Sequence, residues 1–286
     1  MSDIIYKYSQ LSSKLPYNRS EHKQINSIHY GQAKLLFSEI LFLTKYYDEN
    51  ALVLYVGAAG GKHIPYLSDL FPKLHFHLYD PSKFDIEETD KIRIFNKKFT
   101  DEIATKYSNE MVLFISDIRT YENLKTADRE EYNEIILRDM SWQMSWVNII
   151  KPIAASLKFK LITKAGRTEY FDGTIYLQPY NRMSAETRLF VTDFEKRKSY
   201  DNVEFDEKNV YFNWVIRIKF RSDYFDKIMK KYSIKNNWDN SMALFIMLFY
   251  CQKFKCDEST GSIGPIEKFI FIGKLFVDDK FLLVKN

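Results

Sequence analysis

The stretch "LVLYVGAAGGKHIPYLSDLF", residues 52–71, holds three of the chain's nine glycines, at positions 57, 60 and 61. The run before them, Leu52 to Val56, is apolar and rich in β-branched and aromatic residues, which predicts a buried strand. After them Ile64, Leu67 and Leu70 recur at helical spacing. The glycines therefore sit at a strand-to-helix turn, where the backbone folds tightly or lets something approach closely. In open α/β sheets that is where a nucleotide-like ligand binds.

The rest of the chain fits such a sheet. "GQAKLLFSEILFLTKYY" (31–47) predicts a mainly apolar helix, and residues 1–30 before it read as a polar arm with little regular structure. "LHFHLYD" (74–80) alternates like a strand and ends on Asp80. "IRIFNKKF" (92–99) and "MVLFISD" (111–117) predict a third and a fourth strand, the fourth also ending on an acid. "EEYNEIILRDMSWQMSWVNIIKPIAA" is helical until Pro152 interrupts it, and "SLKFKLITK" (156–164) is the next strand. "SDYFDKIMKKYS" and "NSMALFIMLFYCQKF" are expected as late helices packed on the sheet. Strands alternating with helices argue a mostly parallel sheet, here in one α/β domain with helical additions at both ends.

Composition narrows the class. A hydrophobic content of 45% excludes a disordered chain, and a net charge of +4 permits a polyanionic partner without requiring one. Basic clusters such as "NKKF", "EKRKSY" and "KIMKKYSIKNN" lean toward that partner. Cys251 and Cys256 are the only cysteines, which leaves neither a disulfide framework nor a compact metal signature and suits reduced, intracellular thiols. The first residues lack the apolar core of a signal peptide, and the apolar run "MALFIMLFYC" (242–251) is too short to span a bilayer. The expectation is a soluble protein with no membrane partner and no metal.

The glycine turn reads G-A-A-G-G rather than the G-x-G-x-x-G of dinucleotide folds. Asp80 stands 23 positions past Gly57, at the end of the second strand, where a carboxylate can accept hydrogen bonds from both hydroxyls of a ribose. A glycine turn without a diphosphate fingerprint, joined to a ribose acid, suits S-adenosyl-L-methionine better than NAD. A plain strand–helix turn beside a surface acid is the other reading of these residues alone.

Further segments point the same way. "YGQAKLLFSEILFL", "YVGAAGGKHIPYL", "LFISDIR", "PIAASLKFK", "LQPY", "SAETRL" and "EFDEKNVYFN" run in order from about residue 28 to about 255. Together they resemble the poxvirus family of cap-specific mRNA 2′-O-methyltransferases, which also serve as the small, stimulatory subunit of poly(A) polymerase. The resemblance implies a Rossmann-like methyltransferase fold that uses S-adenosyl-L-methionine. Within residues 1–286 it implies an arm (1–30), a cofactor-binding core (about 31–165) and RNA- and cap-side loops with C-terminal helices (about 166–286).

It also implies a catalytic set of Lys34, Asp117, Lys158 and Glu186. A ribose 2′-hydroxyl is a poor nucleophile, so attack on a sulfonium methyl needs its proton removed or its alkoxide stabilised. A partly desolvated lysine among other charges can serve as that base. The reading takes Lys158 as the base and Lys34 as a second cation, with Asp117 and Glu186 orienting both amines.

By the same resemblance Gln32, Tyr55, Gly57, Gly61, Asp80, Asp117 and Arg119 contact the cofactor, with Thr100 beside the adenine. Ser82 stands where the family carries a basic residue, which removes one contact from that site. His63 reads as a helix-start residue that shapes the turn. Lys160, Gln178, Pro179, Tyr180, Ser184 and Glu186 line the cap and the leading nucleotides, and Asp206 reads the edge of the methylated guanine. The family's stacking aromatic falls near Thr163 here, and Met183 replaces a tyrosine, which leaves Tyr170, Phe171 or Tyr17 as substitute rings. The implied partners are capped mRNA and a poly(A) polymerase catalytic subunit, and the implied place is the cytoplasm, in a viral factory or virion. Two other readings stay open: a non-catalytic, RNA-binding processivity subunit, and an unrelated S-adenosylmethionine enzyme acting on a small molecule.

Overall fold

The computed structural model describes residues 4–16, 30–120, 128–181, 185–256, 264–277 and 282–284. In chain order the elements begin with α1 (Gly31–Tyr46), β1 (Leu52–Val56), α2 (Ile64–Leu70), β2 (His75–Tyr79), β3 (Ile92–Phe95), α3 (Asp101–Thr105), β4 (Val112–Ser116), α4 (Arg129–Ile150) and β5 (Ala154–Phe159). There follow β6 (Arg167–Phe171), β7 (Thr174–Tyr176), β8 (Thr187–Val191), β9 (Arg197–Asp201) and α5 (Asn202–Tyr211). The last are α6 (Arg217–Lys219), α7 (Asp226–Lys231), α8 (Trp238–Phe254) and α9 (Pro265–Phe276). These elements divide between two compact units. One comprises Tyr46–Tyr176 and Glu186–Asp206, the other Met1–Lys45, Leu177–Ala185 and Glu207–Asn286.

The first unit holds a seven-stranded sheet of order β3-β2-β1-β4-β5-β8-β7. Strands β1 to β5 are parallel, and β8 runs against both β5 and β7. This is the mostly parallel sheet that the alternation of strands and helices predicts, in the Rossmann-like form that the family resemblance implies. β1 is buried from Val53 onward and β4 along its whole length, as expected of strands covered on both faces. β6 and β9 form a separate two-stranded antiparallel sheet.

Helix boundaries follow local chemistry. Thr100 caps α3 by accepting from the Ile103 N–H, and Asp128 caps α4 by accepting from those of Glu130 and Glu131. α4 ends on Lys151 in the left-handed region, one residue before Pro152. The third and fifth strands are shorter than their apolar patterns suggest, stopping at Phe95 and Phe159.

Register does most to build the site. Val56 is paired with Tyr79 and with Ser116, and Ser116 with Leu157. The next residue on each strand is therefore Gly57, Asp80, Asp117 and Lys158, set in one row across four neighbouring strands. The row crosses the boundary between β1 and β4, where the strand order reverses and such sheets bind ligands.

The second unit packs α1 and the late helices around its own core. Phe37 and Phe269 meet with ring centroids 6.4 Å apart, and the buried Trp238 donates its indole N–H to the Ile5 carbonyl at 2.8 Å. α7 and α8, expected on the sheet, belong to this unit. Among the described residues no helix is long and apolar enough to cross a membrane.

Candidate active site

In the row, between Asp80 and Asp117, the glycine turn is pressed against backbone. Gly57 donates its N–H to the Tyr79 carbonyl at 2.8 Å and has a φ of +84°. A Cβ there would come within 2.8 Å of the Ile118 nitrogen and 2.9 Å of the Asp117 carbonyl carbon. Only glycine suits that conformation and that space. Gly61 also has a positive φ, +77°.

Asp80 is tied to this turn. One carboxylate oxygen accepts from the Ala59 N–H at 3.2 Å and the other from the Ser82 N–H at 2.8 Å. An ionised carboxylate accepts at about four lone-pair sites, so these two bonds orient the group and leave capacity for two hydroxyl donors. A ribose diol fits such an acceptor. Ser82, expected as a lost contact, thus contributes its backbone N–H.

At the other end of the row from Asp80, Lys158 Nζ lies 3.2 Å from Asp117 Oδ1 and 3.2 Å from Glu186 Oε2. Arg188, which pairs with Lys158 across β5 and β8, completes the group. Its Nη2 bonds Asp117 Oδ1 and lies 3.7 Å from Glu186 Oε1, while Nη1 donates to the Ser116 carbonyl at 3.2 Å. Burial by itself would lower the guanidinium's pKa. The carboxylates of Asp117 and Glu186 outweigh it and raise the value, so Arg188 stays charged. The carboxylates of Asp117 and Glu186 thus face both the Lys158 amine and the Arg188 guanidinium in a mostly buried cluster, which holds the amine at a fixed point. Arg188 is absent from the set read in the sequence. The signal was the two-residue spacing of Glu186 and Arg188, which puts both on one face of an extended segment.

The other candidates fall in varied places. Tyr55 is fully buried in β1, edge-on to the buried His63 with ring centroids 6.4 Å apart. His63 holds the position before α2 and makes no capping bond with its side chain. Thr100 is an exposed helix cap, and Arg119 pairs with Asp139 at 3.4 Å. Lys160 donates to the Tyr132 hydroxyl at 2.8 Å, and Asp206 is half-buried on α5.

Lys34 and Gln32 belong to the second unit, on the first turn of α1, where Lys34 is buried. Within the sheet unit the structure brings together Asp117, Lys158 and Glu186 of the catalytic set. Gln178, Pro179 and Tyr180 are also in the second unit and are buried. The Tyr180 hydroxyl donates to Asn240 at 2.9 Å, and its backbone N–H donates to Asp239 at 2.7 Å. Ser184, Met183 and Tyr17 lie outside the described residues.

Two substitute rings must be set aside. Tyr170 and Phe171 are both fully buried, with Tyr170 stacked on Phe159 at 5.8 Å and Phe171 edge-on to Tyr170 at 5.3 Å. Tyr170 stacks within the core, the Arg197 guanidinium lies 4.3 Å from the Phe171 centroid, and burial raises the Tyr170 hydroxyl pKa.

Comparison with known proteins adds to this geometry. Residues 1–263 match the model of the poly A polymerase regulatory subunit family. A cap-specific mRNA (nucleoside-2′-O-)-methyltransferase of fowlpox virus is 29% identical over 255 residues, covering 79% of this chain and 80% of that protein. The enzyme of the same name from myxoma virus (strain Lausanne) is 30% identical over 213 residues. That match covers 66% of this chain and 62% of the myxoma protein, so it spans less than two thirds of that relative's length. Among solved structures, the sugar N-methyltransferase KedS8 from Streptoalloteichus aligns with a TM-score of 0.26 at 9% identity, covering 66% of this chain and 77% of that one. A likeness that weak carries no argument.

Proposed function

The chain belongs to the family of poly(A) polymerase regulatory subunits, and from that premise we propose that it is an S-adenosyl-L-methionine-dependent mRNA cap 2′-O-methyltransferase. The substrate is the ribose 2′-hydroxyl of the first transcribed nucleotide of capped RNA. One observation carries the reading: a lysine amine held by two carboxylates stands in the same row of strand ends as a glycine turn and a ribose-type acid. The viral relatives that bear this activity in their names support it.

When bound, the cofactor supplies a methyl group activated on a sulfonium. Asp80 receives the ribose hydroxyls, and Gly57 and Gly61 let the backbone come close. As the neutral amine, having first given up its own proton, Lys158 takes the 2′-hydroxyl proton onto Nζ. Asp117 and Glu186 fix that amine, and Arg188 fixes the two acids. Lys34 is the second cation on the resemblance alone. Gln32, Tyr55, Thr100 and Arg119 toward the cofactor, and Lys160, Gln178, Pro179, Tyr180, Ser184 and Asp206 toward the RNA, rest on the same ground.

A second reading, a non-catalytic RNA-binding processivity subunit, has the family's description in its favour. One chain can hold both roles, with a poly(A) polymerase catalytic subunit as partner and the cytoplasm as the place.

The test is methyl transfer from labelled cofactor to capped and to uncapped RNA, followed by mapping of the modified nucleotide. Label on the first ribose of capped RNA is the expected result. No transfer to either RNA, with stimulation of a poly(A) polymerase, would leave the processivity reading alone. Cofactor binding has its own check. Asp80→Ala should weaken it by roughly 10- to 100-fold, the worth of hydrogen bonds to a charged group. Equal affinity in calorimetry would remove Asp80 from the site.

A further inference from the structure

Helix α4 carries polar residues where a helix of this kind buries apolar ones. Asn133 is 8% exposed, and Asp139 and Gln143 are fully buried. Between them the three reach β5 and the segments that follow β4 and β5. Asn133 Oδ1 accepts from the Thr163 N–H at 3.0 Å, and the Gln143 amide lies 3.5 Å from the Lys158 carbonyl. Asp139 makes the densest set. Its Oδ2 accepts from the Thr120 N–H at 3.1 Å and from Arg119 Nη1 at 3.4 Å, and its Oδ1 accepts from the Thr120 hydroxyl at 2.5 Å. Arg138, the preceding residue, holds the same threonine from outside, at 2.6 Å to the hydroxyl and 3.1 Å to the carbonyl.

A buried carboxylate is a poor device for stability alone, because its desolvation cancels much of what its partners supply. Its value lies in fixing geometry. Segment 117–120 is held at its start by the Asp117 N–H on the Val56 carbonyl at 2.9 Å and at its end by the grip on Thr120. Between these anchors lie Asp117, which touches the catalytic lysine, and Arg119, whose side chain is 12% exposed.

We propose that Asp139 is a positioning residue: through Arg119 and Thr120 it sets the turn after β4 in the shape that receives the cofactor. The inference rests on the cofactor reading above and adds to it a residue that touches neither cofactor nor RNA. Arg119 is then a group held in one orientation by a buried anion, not a mobile surface cation.

The experiment is a double-mutant cycle on the full-length chain, read as calorimetric affinity for S-adenosyl-L-methionine, with the melting temperature of each variant. Asp139→Asn keeps the shape and one acceptor but removes the charge that orients Arg119. Asp139→Asn and Arg119→Gln should each weaken binding about tenfold, the size of one charge-assisted hydrogen bond. The double variant should be no weaker than either single one, because the two act as a unit. A folded Asp139→Asn that binds like wild type, or losses that add, would overturn the proposal. So would a lower melting temperature with unchanged affinity, the mark of a purely structural acid. If Asp139→Asn does not fold, Thr120→Val removes one bond to the same carboxylate and takes its place in the cycle, with the same two outcomes. A wild-type chain that binds no cofactor overturns the reading of the site and this inference with it. Wild-type binding without coupling overturns this inference alone.

Discussion

Replacing Lys158 by alanine is expected to lower methyl transfer by about 10²–10⁴-fold, the usual worth of a positioned general base. Cofactor affinity should stay close to wild type, because Asp80 and the glycine turn, not this amine, are the proposed contacts to the nucleoside. Folding should also survive, since Arg188 continues to engage both Asp117 and Glu186. The loss therefore reports chemistry. Lys158→Arg sharpens the test. A guanidinium stays protonated at neutral pH and cannot take the hydroxyl proton, so this variant should fail too. If it keeps most of the activity, the amine steers the hydroxyl and the proton leaves by another route.

The second large effect concerns stability. Arg188 is 2% exposed, and its guanidinium serves Asp117, Glu186 and the Ser116 carbonyl at once. Arg188→Ala takes a guanidinium partner from two poorly solvated carboxylates and one donor from a buried carbonyl. Breaking such a pair from one side costs about 3–5 kcal/mol, readable as a fall in the denaturant midpoint at unchanged slope. Activity should go as well, because the acids that hold Lys158 lose their anchor. Arg188→Lys should recover only part of the stability, since one ammonium cannot reproduce the planar fork. A loss below about 1 kcal/mol, the scale of an exposed ion pair, would show that the guanidinium is dispensable.

These two residues differ in how readily the sequence disclosed them. Lys158 lies inside "PIAASLKFK", a segment matched to a known family, and the match of residues 1–263 to the regulatory subunit model bears that resemblance out. Arg188 needed a pairing that local pattern does not encode. It faces Lys158 only because β8, far along the chain, runs antiparallel beside β5. The grip of Asp139 on Arg119 and Thr120 is hidden in the same way, since a single acid within an amphipathic helix looks like any solvated charge. Tyr170 and Phe171 show the converse. An aromatic residue in a β-like run suits a stacking surface and a core equally well, and the packing of Phe159 against Tyr170 placed both inside.

The sequence by itself determined whatever depends on neighbours along the chain. The strand–glycine–helix turn, the strand-end acids Asp80 and Asp117, and the stop of α4 before Pro152 follow from side-chain periodicity, backbone freedom and proline sterics acting over a few residues. Only the tertiary structure decided which strand lies beside which, and so which charges meet. Register aligned Gly57, Asp80, Asp117 and Lys158 in one row, and an antiparallel insertion set Arg188 against Lys158. Separate stretches of chain were gathered into two compact units. Those choices rest on long-range hydrogen-bond pairing and on burial of both faces of the sheet, which no short window of residues can express.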